Sequence, residues 1–105
     1  PPAPSVDLRF NGYAGLFLAV PTSVAGAVTL NWDKNINPNF SSYKIYRSTN
    51  GTISTSSDLM ATITDETVTS YLDSSTIAGT QYFYAVYVSF TNGEAFFTNG
   101  VAITP

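Results

Sequence analysis

The sequence predicts an all-β domain, a sandwich of about seven short antiparallel strands. Apolar and polar side chains alternate with a period of two along most of the chain, and no segment shows a helical period. Turn-forming residues recur at intervals of roughly 8–12 residues, a spacing typical of β-sandwiches. Because 105 residues is the length of one domain, we expect a single sandwich over residues 5–105, preceded by a proline-rich linker at residues 1–4.

Alternation and the turn residues between the alternating segments define the individual strands. Asn92-Gly93 predicts a two-residue type I′ hairpin turn before the last strand. Asn99-Gly100 predicts a bend or bulge within that strand. From residue 27 onward, the predicted strands cover residues 27–33, 43–48, 59–64, 69–73, 81–91 and 94–104.

Four segments of the chain resemble fibronectin type III domains, especially those of bacterial extracellular proteins. They are Val28–Asp33, Tyr43–Ser48, Thr69–Asp73 and Ala78–Val86, which occur in the family's order and spacing. The resemblance covers residues 28–105 and implies an immunoglobulin-like sandwich of two antiparallel sheets.

The resemblance also implies roles for two aromatic residues. Trp32 matches the core tryptophan of the second strand, and Tyr82 matches the tyrosine-corner residue, whose hydroxyl bonds to upstream backbone. Tyr43 and Tyr71 lie on the same side of the alternation as the predicted core, so we expect them to be structural as well.

The first quarter of the chain departs from the family pattern, because residues 7–26 are longer than its usual first strand. One interpretation is an extended or inserted N-terminal strand within the sandwich. The other is an assembly strand that pairs with the sheet edge of another copy. The apolar residues that would form either strand are Tyr13, Leu16, Phe17, Leu18 and Val20.

Composition argues against several classes of function. The chain has no Cys and no His, which excludes disulfides, cysteine-ligated zinc and histidine acid-base chemistry. Four scattered Lys and Arg residues and a net charge of −3 disfavour a nucleic-acid partner. The longest apolar stretch, residues 13–20, is too short for membrane insertion. We expect no cofactor, no metal site and no catalytic residue.

The carboxylates of the middle of the chain lie in or beside predicted loops. Spacing gives no sign that two of them converge as a general acid and base. We therefore interpret them as solvated charges and Asx-turn caps. They are Asp58, Asp65, Glu66 and Asp73.

The leading functional hypothesis is a non-catalytic extracellular module that acts as a spacer or assembly domain. Its partners would be neighbouring domains of the same polypeptide or other copies of itself. An alternative is a carbohydrate- or protein-binding module in which Tyr46, Phe83 and Tyr87 form a platform on a sheet face, with polysaccharide as one ligand. A third is a fibre or surface-layer subunit built by strand addition. Asn39 and Asn50 begin N-glycosylation sequons, which matter only in a host that glycosylates.

Overall fold

The computed structural model describes the backbone of residues 22–24 and the whole of residues 26–105. This part of the chain contains eight β-strands and no helix. The strands are β1 (Thr22–Val24), β2 (Ala27–Asn31), β3 (Phe40–Ser48), β4 (Asp58–Ile63), β5 (Ser70–Asp73), β6 (Tyr82–Phe90), β7 (Ala95–Phe97) and β8 (Val101–Ile103).

The strands form two antiparallel sheets. The smaller sheet has the order β1-β2-β5, and the larger has the order β4-β3-β6-β7, with β8 also paired to β6. Because β7 and β8 lie along the same edge of β6, they are two halves of one interrupted strand. Counted in this way, the described strands number seven, and the predicted all-β sandwich is confirmed.

The core lies between the sheets and follows the predicted alternation. Val28, Leu30 and Trp32 are buried from the smaller sheet, while the intervening residues face outward. From the larger sheet, the central strands β3 and β6 contribute the remaining buried core residues, which are Tyr43, Ile45, Tyr82, Tyr84, Val86, Val88 and Phe90.

The four predicted structural aromatics all contact this core. The Trp32 and Tyr43 rings meet edge to face, with centroids 5.4 Å apart. Tyr71 is partly buried and packs against the cluster. The Tyr82 hydroxyl accepts a hydrogen bond of 2.8 Å from the backbone N–H of Ile77, which anchors the loop before β6.

The hairpin between β6 and β7 differs from the predicted type. The Gly93 N–H donates to the Phe90 carbonyl, and the Phe90 N–H donates to the Glu94 carbonyl, which leaves three loop residues instead of two. Gly93 follows the turn with a φ of 90°. This is the three-residue loop that ends in a left-handed glycine, so the prediction of a type I′ turn centred on Asn92-Gly93 is wrong.

The predicted linker at residues 1–4 and the strand formed by Tyr13, Leu16, Phe17, Leu18 and Val20 lie outside the described residues. The first described strand is β1, which a tight turn joins to β2. Gly26 makes this turn with a φ of 78°, a conformation that costs glycine little because it has no Cβ.

Candidate functional site

The outer face of the larger sheet, turned away from the smaller sheet, carries an aromatic cluster. Tyr46 on β3 and Tyr87 on β6 alternate with the core residues of their strands, and Phe97 on β7 pairs with Tyr87. The Tyr87 and Phe97 centroids are 4.6 Å apart, and Tyr46 meets both rings edge to face at 6.0 and 5.8 Å. Such pairs each contribute about 0.5–1.5 kcal/mol beyond their buried area.

A hollow of about 490 Å³ opens beside this cluster, and we call it the outer hollow. Its walls include the half-buried rings of Phe83 and Phe97, and the small side chain of Ala85 is buried beneath it. The residues that line the outer hollow are Gly51, Ile53, Phe83, Ala85, Phe97, Thr98, Gly100, Val101 and Ala102.

A one-residue bulge in the last strand accompanies the outer hollow. Tyr87 pairs with Phe97 whereas Tyr84 pairs with Val101, so the stretch between β7 and β8 has one residue more than the stretch of β6 that it faces. Thr98 bridges the irregularity. Its backbone N–H donates to the Val86 carbonyl at 2.8 Å, and its hydroxyl accepts from the Val86 N–H at 3.0 Å. The predicted irregularity at Asn99-Gly100 is present.

The predicted platform residues share this face but do not form an open row of three rings. Tyr46 is only 6% exposed, so its ring belongs to the aromatic cluster and is not available to a partner. Tyr87 is half-buried in the same cluster, and Phe83 lines the outer hollow. Sequence reasoning missed Phe97 and Ile53. Alternation within the last strand could have placed Phe97, whereas Ile53 lies in a loop with no period.

Few polar side chains line the outer hollow. Thr98 is the one residue with a polar side chain in its lining, and no charged residue lines it. The Thr98 hydroxyl already accepts from Val86 and donates to the Asn99 carbonyl at 3.0 Å. The lining therefore combines apolar side chains with polar backbone groups, which contribute a large share of its exposed surface.

A cluster of polar side chains, Asp73, Ser75, Tyr84 and Arg47, joins the two sheets, and we call it the inter-sheet cluster. It contains a carboxylate that the sequence predicts to be a solvated charge. Asp73 on β5 is 1% exposed. Its Oδ2 accepts from the Tyr84 hydroxyl at 2.6 Å and from Arg47 Nη1 at 2.9 Å, both on the larger sheet. Its Oδ1 accepts from the Ser75 N–H at 3.0 Å and from the Ser75 hydroxyl at 2.6 Å. The Asx-turn part of the prediction agrees with the Ser75 contacts, but the solvated-charge part is wrong for Asp73.

These contacts set the protonation states in this inter-sheet cluster. Burial alone would raise the pKa of Asp73, but the hydrogen bonds from Ser75, Tyr84 and Arg47 outweigh it and hold that pKa below its usual range. Burial, followed by the hydrogen bond to Asp73, raises the pKa of Tyr84 well above its usual range. The carboxylate is thus ionised and the phenol protonated at neutral pH, and both are committed to holding the sheets together.

The other described carboxylates give no sign of a metal or catalytic centre. Asp65 caps its own turn, accepting from the Thr67 N–H and hydroxyl at 2.9 and 2.6 Å as predicted for an Asx turn. Lys34 and Glu66 approach to 3.9 Å at the surface. Within residues 26–105, no three His, Cys, Asp or Glu side chains come together as a metal site. The described residues also include no helix with the length and apolar character to cross a membrane.

Comparison with known proteins identifies the fold. No family model matches the sequence, and no curated protein is similar to it. Among solved structures, the chain is similar to an Fn3-like protein from Clostridium thermocellum, with 29% identity, a TM-score of 0.62 and coverage of 87% of this chain and 88% of that one. It is also similar to a human fibronectin type III domain, with 12% identity, a TM-score of 0.66 and coverage of 88% and 73%.

A third similar structure is a much larger protein. It is pectate lyase Pel3 from Pectobacterium carotovorum, with 20% identity, a TM-score of 0.70 and coverage of 82% of this chain. The chain spans only about a quarter of the length of that lyase, 26%. Together the three similarities show that the fold is that of fibronectin type III domains.

Proposed function

We propose that this chain, with its fibronectin type III-like fold, is a non-catalytic interaction module of a larger extracellular protein. The outer hollow would be the surface by which it packs against a neighbouring domain of the same polypeptide. The observation that carries the proposal is the set of apolar side chains that line this hollow. In an antiparallel sandwich, the outer face of a sheet is ordinarily polar and solvated.

The physical argument starts from the free energy of exposed apolar surface. Phe83 and Phe97 line the outer hollow and are only partly buried by the described chain, and Ala102 beside them is exposed. Covering them with a partner would gain roughly 25 cal/mol per Å² of apolar area removed from water. Partly exposed apolar side chains on a sheet face are surfaces that a partner domain can cover.

The comparisons support a role within a larger protein. Domains of the fibronectin type III kind are generally non-catalytic modules. A domain with this fold makes up about a quarter of the pectate lyase from Pectobacterium carotovorum. The many Ser, Thr and Asn residues are also common on extracellular β domains.

Polysaccharide binding is the second candidate, favoured by the partly exposed ring of Phe83 and by the similarity to a pectate lyase. Sugar recognition needs placed hydrogen-bonding groups beside the ring. The hydroxyl of Thr98 is already used within the bulge. An apolar protein surface therefore suits the outer hollow better than a sugar.

The proposal is tested by joining the domain to the domain that flanks it in the parent polypeptide. We expect this domain to unfold at a higher temperature when joined than when isolated, because the outer hollow is then covered. Ala102→Arg places a charge in the exposed lining of the hollow and should abolish this gain. Thr62→Arg, an exposed position elsewhere on the same face, is the matched control and should retain it.

Two results would contradict the proposal. One is an unfolding temperature that joining does not change in the unmodified chain. The other is a gain on joining that survives Ala102→Arg. Calorimetric titration of the isolated domain with tetragalacturonic acid tests the second candidate. A saturable binding heat that disappears in Phe83→Ala would favour the polysaccharide-binding candidate over docking of a neighbouring domain.

A further inference from the structure

The sequence has four Asn-Gly dipeptides, Asn11-Gly12, Asn50-Gly51, Asn92-Gly93 and Asn99-Gly100, and the last three lie within the described residues. Of these, Asn50-Gly51 and Asn92-Gly93 lie in different chemical environments. Because glycine has no Cβ, its backbone nitrogen can approach the preceding asparagine side chain with little hindrance. The rate of attack on that side chain then depends on how free the nitrogen is and on what stabilises the amide oxygen.

At Asn50 both conditions favour reaction. Asn50 Oδ1 accepts from the backbone N–H and from the hydroxyl of Thr52, each at 3.1 Å. Two donors on this oxygen stabilise the negative charge that develops when a nucleophile adds to the carbonyl carbon. Gly51 is exposed, and its N–H has no acceptor among the described residues.

At Asn92 the same groups are restrained. The Gly93 N–H donates to the Phe90 carbonyl at 3.1 Å, so the nitrogen must give up this bond before it can lose its proton and attack. Asn92 Oδ1 accepts one bond, from the Glu94 N–H at 3.0 Å, and Nδ2 donates to Glu94 Oε1 at 3.2 Å. The carboxylate of Glu94 opposes a second negative charge at this position.

We propose that Asn50 is a site of spontaneous covalent modification through a succinimide. The Gly51 nitrogen loses its proton to solvent base and bonds to Asn50 Cγ. The bond from Cγ to Nδ2 then breaks, and the nitrogen leaves as ammonia. Water opens the ring at either carbonyl, which yields aspartate or isoaspartate, and nothing is oxidised or reduced.

The modification changes the surface beside the outer hollow. A neutral amide becomes a carboxylate, which lowers the formal net charge from −3 to −4. Gly51 and Ile53 of the same loop line the outer hollow, whereas Asn50 lines a separate polar hollow, so the new charge lies on the loop beside the outer hollow and not within it. On the proposed function this charge weakens docking of an apolar partner, whereas the modification itself does not depend on that function.

The test follows the intact chain in mildly alkaline buffer by peptide mass spectrometry, counting the gain of one mass unit and the isoaspartate formed. We expect Asn50 to convert several-fold faster than Asn92 in the folded chain. In denaturant the two rates should approach each other, because the contacts of Thr52 and Gly93 are lost.

Two variants distinguish the effect of the Thr52 hydroxyl on the conversion rate from the effect of any substitution in the same loop. Thr52→Val removes one donor to Oδ1 and should slow conversion at Asn50. Thr49→Val, an exposed change in the same loop with no such bond, should not. Circular dichroism is the control that checks that both variants fold. Equal rates at Asn50 and Asn92 in the folded chain, or an unchanged rate in Thr52→Val, would overturn the proposal.

Discussion

Replacement of Asp73 by Asn tests the inter-sheet cluster with a minimal change of shape. The amide keeps an oxygen for the two Ser75 donors but turns an NH₂ group toward the Tyr84 hydroxyl and Arg47, where Oδ2 accepted at 2.6 and 2.9 Å. Removing one partner of a buried ion pair costs about 3–5 kcal/mol. Because the Arg47 side chain remains 18% exposed and can recruit water, we expect the lower end, about 3 kcal/mol.

This loss is large relative to the stability of a domain of this size, on the order of 5–15 kcal/mol. At about 4–8 °C per kcal/mol, it corresponds to a fall in the unfolding midpoint of roughly 12–24 °C. Urea unfolding at neutral pH gives the free energy, and calorimetry gives the midpoint. Asp65→Asn, an exposed Asx-turn carboxylate, is the matched control and should stay close to the parent chain.

The pH dependence of the unfolding free energy gives an independent check on the direction of the Asp73 pKa shift. The folded pKa of Asp73 is lowered, so its contribution is fully present above the unfolded value of about 3.9 and is lost as the pH falls through the folded value. The stability difference between parent and Asp73→Asn should therefore be constant near neutral pH and narrow in acid. A midpoint for Asp73→Asn equal to that of Asp65→Asn, or a difference that does not narrow in acid, would refute the reasoning.

Two further substitutions test contacts that position the loops and the bulge. Tyr82→Phe removes the acceptor for the Ile77 N–H and should cost about 0.5–1.5 kcal/mol. Faster amide exchange at Ile77 would confirm the lost bond, and unchanged exchange would contradict it. Thr98→Val leaves the Val86 N–H without its acceptor and should cost about 1–3 kcal/mol, measured by urea unfolding. A variant as stable as the parent would show that the threonine hydroxyl does not support the bulge.

The sandwich and its inner faces were predictable because a strand places alternate side chains on opposite faces. Val28, Leu30 and Trp32 are buried as the alternation predicts, as are the inward residues of β6. The sequence alone does not decide the type of turn between β6 and β7. Asn-Gly fits both the two-residue loop and the three-residue loop with a left-handed glycine at its end, and the choice depends on the pairing of Phe90 with Glu94.

Part of the inter-sheet cluster could be predicted from the same alternation of inward and outward residues. Arg47 lies two residues after Ile45, and Asp73 lies two residues after Tyr71, so both fall on the inward side of their strands. The charge of the two side chains, however, favours exposure to solvent, because charged residues are seldom fully buried. Only the packing of β3, β5 and β6 brings the two side chains together, and such long-range contact cannot be derived from local pattern.

The outer hollow was the least predictable feature. The irregularity at Asn99-Gly100 follows from turn chemistry, but its consequence does not. The space depends on the small Ala85 facing the interruption and on Thr98, whose hydroxyl takes the place of a backbone acceptor. Phe83 was placed on the correct face, whereas the burial of Tyr46 depends on Tyr87 and Phe97 together.

Methyl NMR of the domain, alone and joined to the neighbouring domain that the proposed function requires, tests the docking role of the outer hollow most directly. The residues Ile53, Ala85 and Ala102 line the hollow and carry methyl groups, and the two methyl groups of Leu72 belong to an exposed side chain on the smaller sheet. The account predicts that joining shifts the first three signals and leaves Leu72 unchanged. Unchanged signals at all three hollow positions, or a shift confined to Leu72, would contradict it.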